Sequence, residues 1–291
     1  MSEVAIMTDS VACIPRHLAE ECKLKIVPAA NIYVNGHTYI DGVTISALEA
    51  YKLIEKDPDK FATSAITPEY LVNAYKEVCT YFPKVLFITV ASALSAVYKT
   101  ATLAADMFVQ QSPGVEIRVV DSRACASTQG LVVLAAAKAA AKGKNLEEVA
   151  SIVEQVRQRS GGLMMLDTLR YVYRTGRMSK TASRIASIFN IKPINRLSQD
   201  GSIEFVDRTR KRSDGLARLL NLIAKEVGEE GAHFMITHAA APDLAESFAE
   251  QLKESFNCLS LIISDYSPVM GYGAGPGAIF VGWHPELEVL K

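Results

Sequence analysis

Short, mostly apolar runs alternate with stretches whose apolar residues recur every three or four positions, and this alternation fills the first half of the chain. Val4–Met7 is a short apolar strand, Lys84–Val90 a run of the buried-strand type, and Val115–Val120 another strand. Between the first two, Leu71, Tyr75, Val78 and Phe82 fall on one helix face. Between the last two, Leu94, Val97, Tyr98, Ala101, Ala105 and Phe108 do the same. An Ala-rich helix follows from about Cys125, and a helix over Leu146–Arg159 closes the half. A strand without a polar face needs cover on both sides, and helices threaded between parallel strands supply it. Residues 1–160 are therefore expected to form a parallel-sheet α/β/α domain. An early strand over Ile26–Val34 ends in Asn35-Gly36, a hairpin signal.

The rhythm changes after Ser160-Gly161-Gly162, which reads as a break. Strands are expected over Leu163–Leu166, Ile191–Leu197 and Ser202–Val206, the last two joined by a turn at Gln199-Asp200-Gly201. A helical stripe at Leu216, Leu219, Leu220, Ile223 and Val227 precedes strand Ala232–Thr237. A helix around Leu244–Phe256 and strands Leu259–Ser264 and Ala278–Trp283 finish the chain. Residues 161–291 thus read as a second, α+β domain with a mixed sheet. No sequence repeat is present.

Composition narrows the function. With 291 residues, 49% of them hydrophobic and 22% charged, the chain has material for two cored domains. A net charge of -1 gives no general support to nucleic-acid binding. The one basic run, Arg208-Thr209-Arg210-Lys211-Arg212, is a solvated turn before a helix or a docking patch for an acidic partner. The five cysteines (Cys13, Cys22, Cys79, Cys125, Cys258) show no CxxC spacing, which speaks for a reducing, cytoplasmic setting and against a zinc ribbon. No HExxH pattern joins the histidines, so no metal site is expected. No GxxxxGK[ST] loop is present, so no nucleotide cofactor is expected, and no catalytic residue can be assigned. Glu3 stands where a signal peptide would want positive charge, and the apolar run Leu131–Ala141 is broken by Lys138 and too short to span a bilayer.

The candidate ligand-binding residues lie in loops and at strand ends. Leu166–Pro193 has the apolar spacing of a helix-loop-helix, with Arg174-Thr175-Gly176-Arg177 as its loop. Guanidinium forks bind carboxylates and phosphates in two-point geometry, although exposed arginine is the plain alternative. Thr63-Ser64 precedes the helix that Thr67 caps and Pro68 opens, so its hydroxyls serve a ligand or local backbone. Ser92, between a strand and the helix starting near Leu94, makes an anion seat or an N-cap, with Ser95 as a separate hydroxyl. Asp9-Ser10 and Asp121-Ser122 also end strands; capping is the expected role of the second pair. The run Gly271-Tyr272-Gly273-Ala274-Gly275-Pro276-Gly277 is a backbone cradle for an oxyanion or simply a turn, with the Tyr272 hydroxyl at hand. Hydroxyls, an arginine loop and a large apolar interior suit an acid with an apolar body.

These fragments also carry a resemblance. Ile6-Met7-Thr8-Asp9-Ser10 with Ile14-Pro15, Val27-Pro28, Tyr39-Ile40-Asp41-Gly42, Thr63-Ser64 and Ser92-Ala93-Leu94-Ser95 with Tyr98 occur in that order. Val120-Asp121-Ser122 with Gln129-Gly130, Gly176-Arg177, Lys192-Pro193-Ile194, Asp200-Gly201 and Gly275-Pro276-Gly277 follow. Together they resemble the DegV family, which includes the fatty-acid-binding subunits of bacterial fatty acid kinase. The chain departs from that pattern at Gly273, where members commonly carry a histidine, and at Ala65-Ile66, Ala91 and Ala96-Val97. The resemblance implies a long-chain fatty acid with its carboxylate at Thr63, Ser92 and the glycine run (Tyr272, Gly273, Gly275) and its tail in an apolar tunnel between the domains. It further implies that Arg177 meets the head group or a phosphate, and that a kinase catalytic subunit is the partner. A lipid sensor without a kinase stays open, as does a stand-alone enzyme using Asp9, Ser92 and Arg177 on a small phosphate or acyl substrate.

Overall fold

The structure, a computed structural model, describes residues 3–177, 191–228 and 231–290. The chain enters through β1 (Val4–Asp9), buried along its whole length, and passes through α1 (Arg16–Glu21) to β2 (Lys25–Val27), parallel to β1. The single strand expected over Ile26–Val34 is in fact two. Pro28 has no N–H to give to a ladder, and the chain leaves the sheet there. β3 (Ala30–Val34) pairs antiparallel with β4 (His37–Ile40) across Asn35-Gly36, whose φ values of 51° and 79° are those of a tight hairpin turn. α2 (Ala47–Lys56) starts at a capping box of Ser46 and Glu49, and β5 (Phe61–Ala65) returns antiparallel to β3. The hairpin signalled by Asn35-Gly36 thus forms, but the third strand of this sheet, ordered β4-β3-β5, went unforeseen: β5 is too short to show a period, and only Phe61 marks it.

α3 (Pro68–Cys79), capped by Thr67 as expected, leads back to the parallel sheet at β6 (Lys84–Thr89). α4 (Val97–Val109) and β7 (Glu116–Asp121) follow, giving the order β2-β1-β6-β7. α5 (Ala126–Ala141) and α6 (Leu146–Arg159) complete the half. Alternate strand residues face opposite layers. Met7, Val85 and Phe87 pack with Leu71, Tyr75 and Ala101 of α3 and α4, while Ile6, Leu86 and Ile88 pack with Val132, Val149 and Val153 of α5 and α6.

The second half opens with β8 (Gly161–Met165) and a single turn, α7 (Val172–Thr175). β9 (Lys192–Leu197), β10 (Ile203–Thr209), α8 (Arg212–Val227) and β11 (Ala232–His238) come next. α9 (Pro242–Ser255), β12 (Cys258–Asp265), α10 (Pro268–Ala274) and β13 (Ile279–Pro285) finish it. The sheet runs β10-β9-β8-β13-β11-β12, and only β11 and β12 are parallel. One face carries α8 and α9, through Leu219, Phe248 and Leu252. The fold class is the one expected: a parallel α/β sheet with helices on both faces and a separate mixed sheet.

Three local expectations change. The helix expected before the arginine loop is only α7, and the helix expected after it lies outside the described residues. The glycine run is not a turn from Gly271: its first four residues belong to α10. α4 starts at Val97 rather than near Leu94, because residues 91–95 first close a turn on the Ala91 carbonyl, which accepts from Leu94 N and Ser95 N.

α5 is buried at 13 of its 16 residues, and only a short stripe of Leu134, Lys138 and Ala141 reaches toward solvent. It lies between β1 on one side and β11 and β13 on the other. The approach is close enough to require glycine. A Cβ at Gly282 would lie 2.5 Å from the Thr128 backbone nitrogen, and one at Gly130 would lie 2.7 Å from the Ala12 carbonyl oxygen. No helix among the described residues is long and apolar enough to cross a membrane.

Candidate functional site

The carboxyl ends of β1 and β6 open onto a cavity of about 210 Å³. From β1 the chain goes to β2 on one side and to β6 on the other, so a crevice forms where the two strand ends part. Val11 and Val90 follow these strands into the wall. Ala29 and Ala30 come from the start of β3, Met164 and Ile203 from the mixed sheet, and Val269 and Met270 from α10. Polar groups enter from β5 (Thr63, Ser64), from the turn before α4 (Ser95), from α7 and its following loop (Thr175, Arg177) and from α10 (Tyr272).

Of the seven residues expected at the site, Thr63, Ser95, Arg177, Tyr272 and Gly273 line this one cavity. Thr63 is half-buried on β5, and its hydroxyl has no hydrogen-bond partner among the described residues. Arg177 is exposed. Its Nε donates to the Leu94 carbonyl at 3.3 Å and its Nη1 to the Thr175 carbonyl, leaving the cation without a carboxylate among the described residues. Arg174, by contrast, is neutralised by Asp59 at 2.5 Å. The Tyr272 ring stacks on Phe61 with centroids 4.9 Å apart, and burial pushes its phenol above the usual range while the Arg177 charge pulls it down. A Cβ at Gly273 would meet nothing nearer than Thr175 Cγ2 at 3.9 Å, so the position is open.

The other two residues stand elsewhere. Ser92 is exposed and outside the lining; its backbone N–H donates to the Asp121 carboxylate at 3.1 Å, and it does not cap α4. Gly275 ends α10 at φ +79°, and a Cβ there would lie 2.0 Å from the Tyr171 ring. Nor do the glycine amides form a cradle. Gly271 N donates to the Ser267 carbonyl, Gly275 N to the Gly271 carbonyl and Gly277 N to the Ala239 carbonyl. Asp121 does not take the helix-capping role expected of it: α5 starts after Cys125 with no side-chain cap, and Asp121 instead accepts from Arg123 N at 2.8 Å in a local turn.

A pair of buried carboxylates stands behind the wall; Asp9 was expected to face a ligand, and Asp41 was given no role of its own. Asp9 accepts from Val90 N at 2.7 Å, from Val11 N at 3.0 Å and from Gln129 Nε2 at 3.3 Å. Asp41 accepts from Val269 N at 2.9 Å and from the Ser10 hydroxyl, which itself accepts from Ala29 N at 2.9 Å. Val11, Ala29, Val90 and Val269 all line the cavity, so the carboxylates hold its wall by backbone amides. The only hint in the sequence was positional: Asp9 ends a strand, and Asp41 follows a hairpin. Neither lines the cavity, and an active site of Asp9, Ser92 and Arg177 is not assembled. Cys125 does line it, but burial pushes its thiol up to about 12, so it is neutral and a poor nucleophile.

A family model for uncharacterised proteins of the DegV family matches residues 3–286. The chain belongs to the DegV family. A DegV domain-containing protein of Caldanaerobacter subterraneus subsp. tengcongensis is 31% identical over 280 residues, 96% of this chain and 97% of the relative. One from Clostridium perfringens is 28% identical over 285 residues, 97% and 99% of the two chains. Among solved structures, a fatty-acid-binding DegV family protein from Thermus thermophilus superposes with a TM-score of 0.88 at 23% identity, covering 98% of this chain and 100% of that one. A DegV family protein from Eubacterium eligens loaded with heptadecanoic acid gives 0.86 at 20% identity, covering 97% and 100%. At these identities the likeness establishes the DegV fold.

Burial raises both buried carboxyls of this DegV protein to about 6. The folded chain therefore binds more protons than the unfolded one between about pH 4 and pH 6. The stability these groups contribute falls as pH rises through that window, by roughly 2–3 kcal/mol per carboxyl. His284, lowered to about 4 by burial, works in the opposite sense, so the diagnostic is a difference between variants. Thermal melts should show wild type gaining on Asp41→Asn as pH falls from about 7 to 5. Parallel curves would show that Asp41 ionises normally.

Proposed function

We propose that this DegV protein binds a long-chain fatty acid and presents it to a fatty acid kinase catalytic subunit for acyl-phosphate formation. One observation carries the binding half: an apolar cavity whose polar groups, Thr63, Ser95, Tyr272 and Arg177, are hydroxyls and a guanidinium. Ser95 takes the place first given to Ser92. The cavity lies between an N-terminal domain, residues 1–160, and a C-terminal domain, residues 161–291, and both supply its lining. The solved DegV proteins from Thermus thermophilus and Bacillus subtilis are described as binding fatty acids, which supports the same ligand class here.

The energetics follow from burial. Each methylene taken from water stabilises the complex by about 0.8 kcal/mol. The head-group donors add little net energy; they avoid the cost of a buried, unpaired carboxylate. The presenting half rests on Arg177, exposed and uncompensated at the cavity, where a transferring phosphoryl group would need positive charge. The neutral Cys125 thiol and the outward Ser92 weigh against a stand-alone enzyme.

Thr63→Ala tests the assignment of the carboxylate end. It should weaken palmitate or oleate binding by about 1–3 kcal/mol, because one donor is lost to a desolvated anion. The melting temperature of the empty protein should stay unchanged, since the Thr63 hydroxyl holds no described group. Full affinity in this variant would remove Thr63 from the site.

A further inference from the structure

A buried amide stands in the sheet behind the cavity with nothing to bond. Asn195, in the middle of β9, is 0% exposed, and neither its Nδ2 nor its Oδ1 has a hydrogen-bond partner among the described residues. Cross-strand register locates it. Asn195 pairs with Met164 of β8 on one side and with Phe205 of β10 on the other. Met164 in turn pairs with Phe280 of β13. Residues directly opposite one another in an antiparallel pair share a sheet face, with Cβ atoms about 5 Å apart. Asn195 therefore lies on the same face as Met164, which lines the cavity, one strand further from β13. Two residues on, Leu197 occupies this same face opposite Ile203, another cavity-lining residue.

An asparagine in such a row is costly. Its neighbours in the row are apolar, and a buried amide without partners loses its hydration for no return. A Leu would fill much the same space at no such cost. Met164, its cross-strand neighbour and a wall residue of the cavity, is long, unbranched and adaptable.

We infer that the cavity continues past Met164 to a polar subsite at Asn195, and that the bound acid carries a hydroxyl part-way along its chain. This rests on the fatty-acid reading and narrows it to hydroxylated long-chain acids. The chemistry selects the hydroxyl. The amide presents one unused acceptor, Oδ1, and unused donors on Nδ2. A hydroxyl donates to the first and accepts from the second. A keto oxygen answers only the donor, and a plain methylene chain answers neither.

The test compares stearate with a set of hydroxystearates differing in hydroxyl position, by calorimetry on the whole protein. At least one isomer should bind wild type about tenfold or more tighter than stearate. In Asn195→Leu that preference should vanish, with stearate at least as tight as every isomer. Asn195→Leu should also melt at the wild-type temperature or above when empty, since it removes an unpaired buried amide. Stearate binding wild type as well as every isomer would overturn the inference and leave fatty-acid binding intact. So would a hydroxyl preference that survives in Asn195→Leu. Binding of neither stearate nor any isomer would overturn both readings. The wild-type comparison decides the matter even where the leucine variant fails to fold.

Discussion

Palmitate should bind this protein more tightly than octanoate by up to about 6 kcal/mol, because it buries about eight more methylenes at about 0.8 kcal/mol each. Ordering the longer chain returns part of that gain. The expectation depends on the wall. Val11, Val90, Met164, Ile203 and Val269 offer a tail no hydrogen-bonding group, so affinity should climb with each carbon and level off once the cavity is full. A calorimetric series of saturated acids measures the slope directly. A flat series would mean that the head group dominates and that the cavity serves a short acid.

Arg177→Ala should lower the rate of acyl-phosphate formation by an order of magnitude or more while leaving palmitate affinity nearly unchanged. The two effects separate because the tail supplies most of the binding and the guanidinium lies exposed at the mouth. Charge placed where the phosphoryl group transfers acts on the transition state, where negative charge is spread over its oxygens. The assay mixes lipid-loaded protein with a fatty acid kinase catalytic subunit and ATP. Wild-type activity that Arg177→Ala leaves untouched would refute the role given to the arginine. Position 273 sharpens the experiment: a side chain there enters open space beside Thr175. No acyl-phosphate from wild type, with activity from Gly273→His, would mark a carrier or sensor that meets no kinase.

The layers of the fold follow from periodicity, while the site does so only in part. Strands with two buried faces, such as β1 and β6, leave short apolar runs, told from the longer apolar run of the buried helix α5 by their length and flanking turns. β5 escaped because five residues alternating between buried or half-buried and exposed positions carry too short a period. Thr63, Ser95, Arg177, Tyr272 and Gly273 could be named from residue chemistry and family pattern, since loop glycines, arginines and strand-end hydroxyls stand out in a linear reading. Ser92 could not be told from Ser95. Which of the two faces the cavity depends on the turn that closes on Ala91 and starts α4 late. The glycine run misled for a related reason: with Ser267 capping and Pro268 opening it, the segment has helix-start signals that outweigh its glycines over about two turns. Asp9, Asp41 and Asn195 acquire their meaning only through burial, which arises from strands far apart in the chain.

The most direct measurement of the central claim is native mass spectrometry of the protein as purified from cells, followed by organic extraction of whatever it holds. The account predicts a complex heavier than the chain by the mass of a long-chain acid, released intact by solvent and replaced when palmitate or oleate is added. Repeated preparations that carry no lipid, and that bind neither added acid, would contradict it.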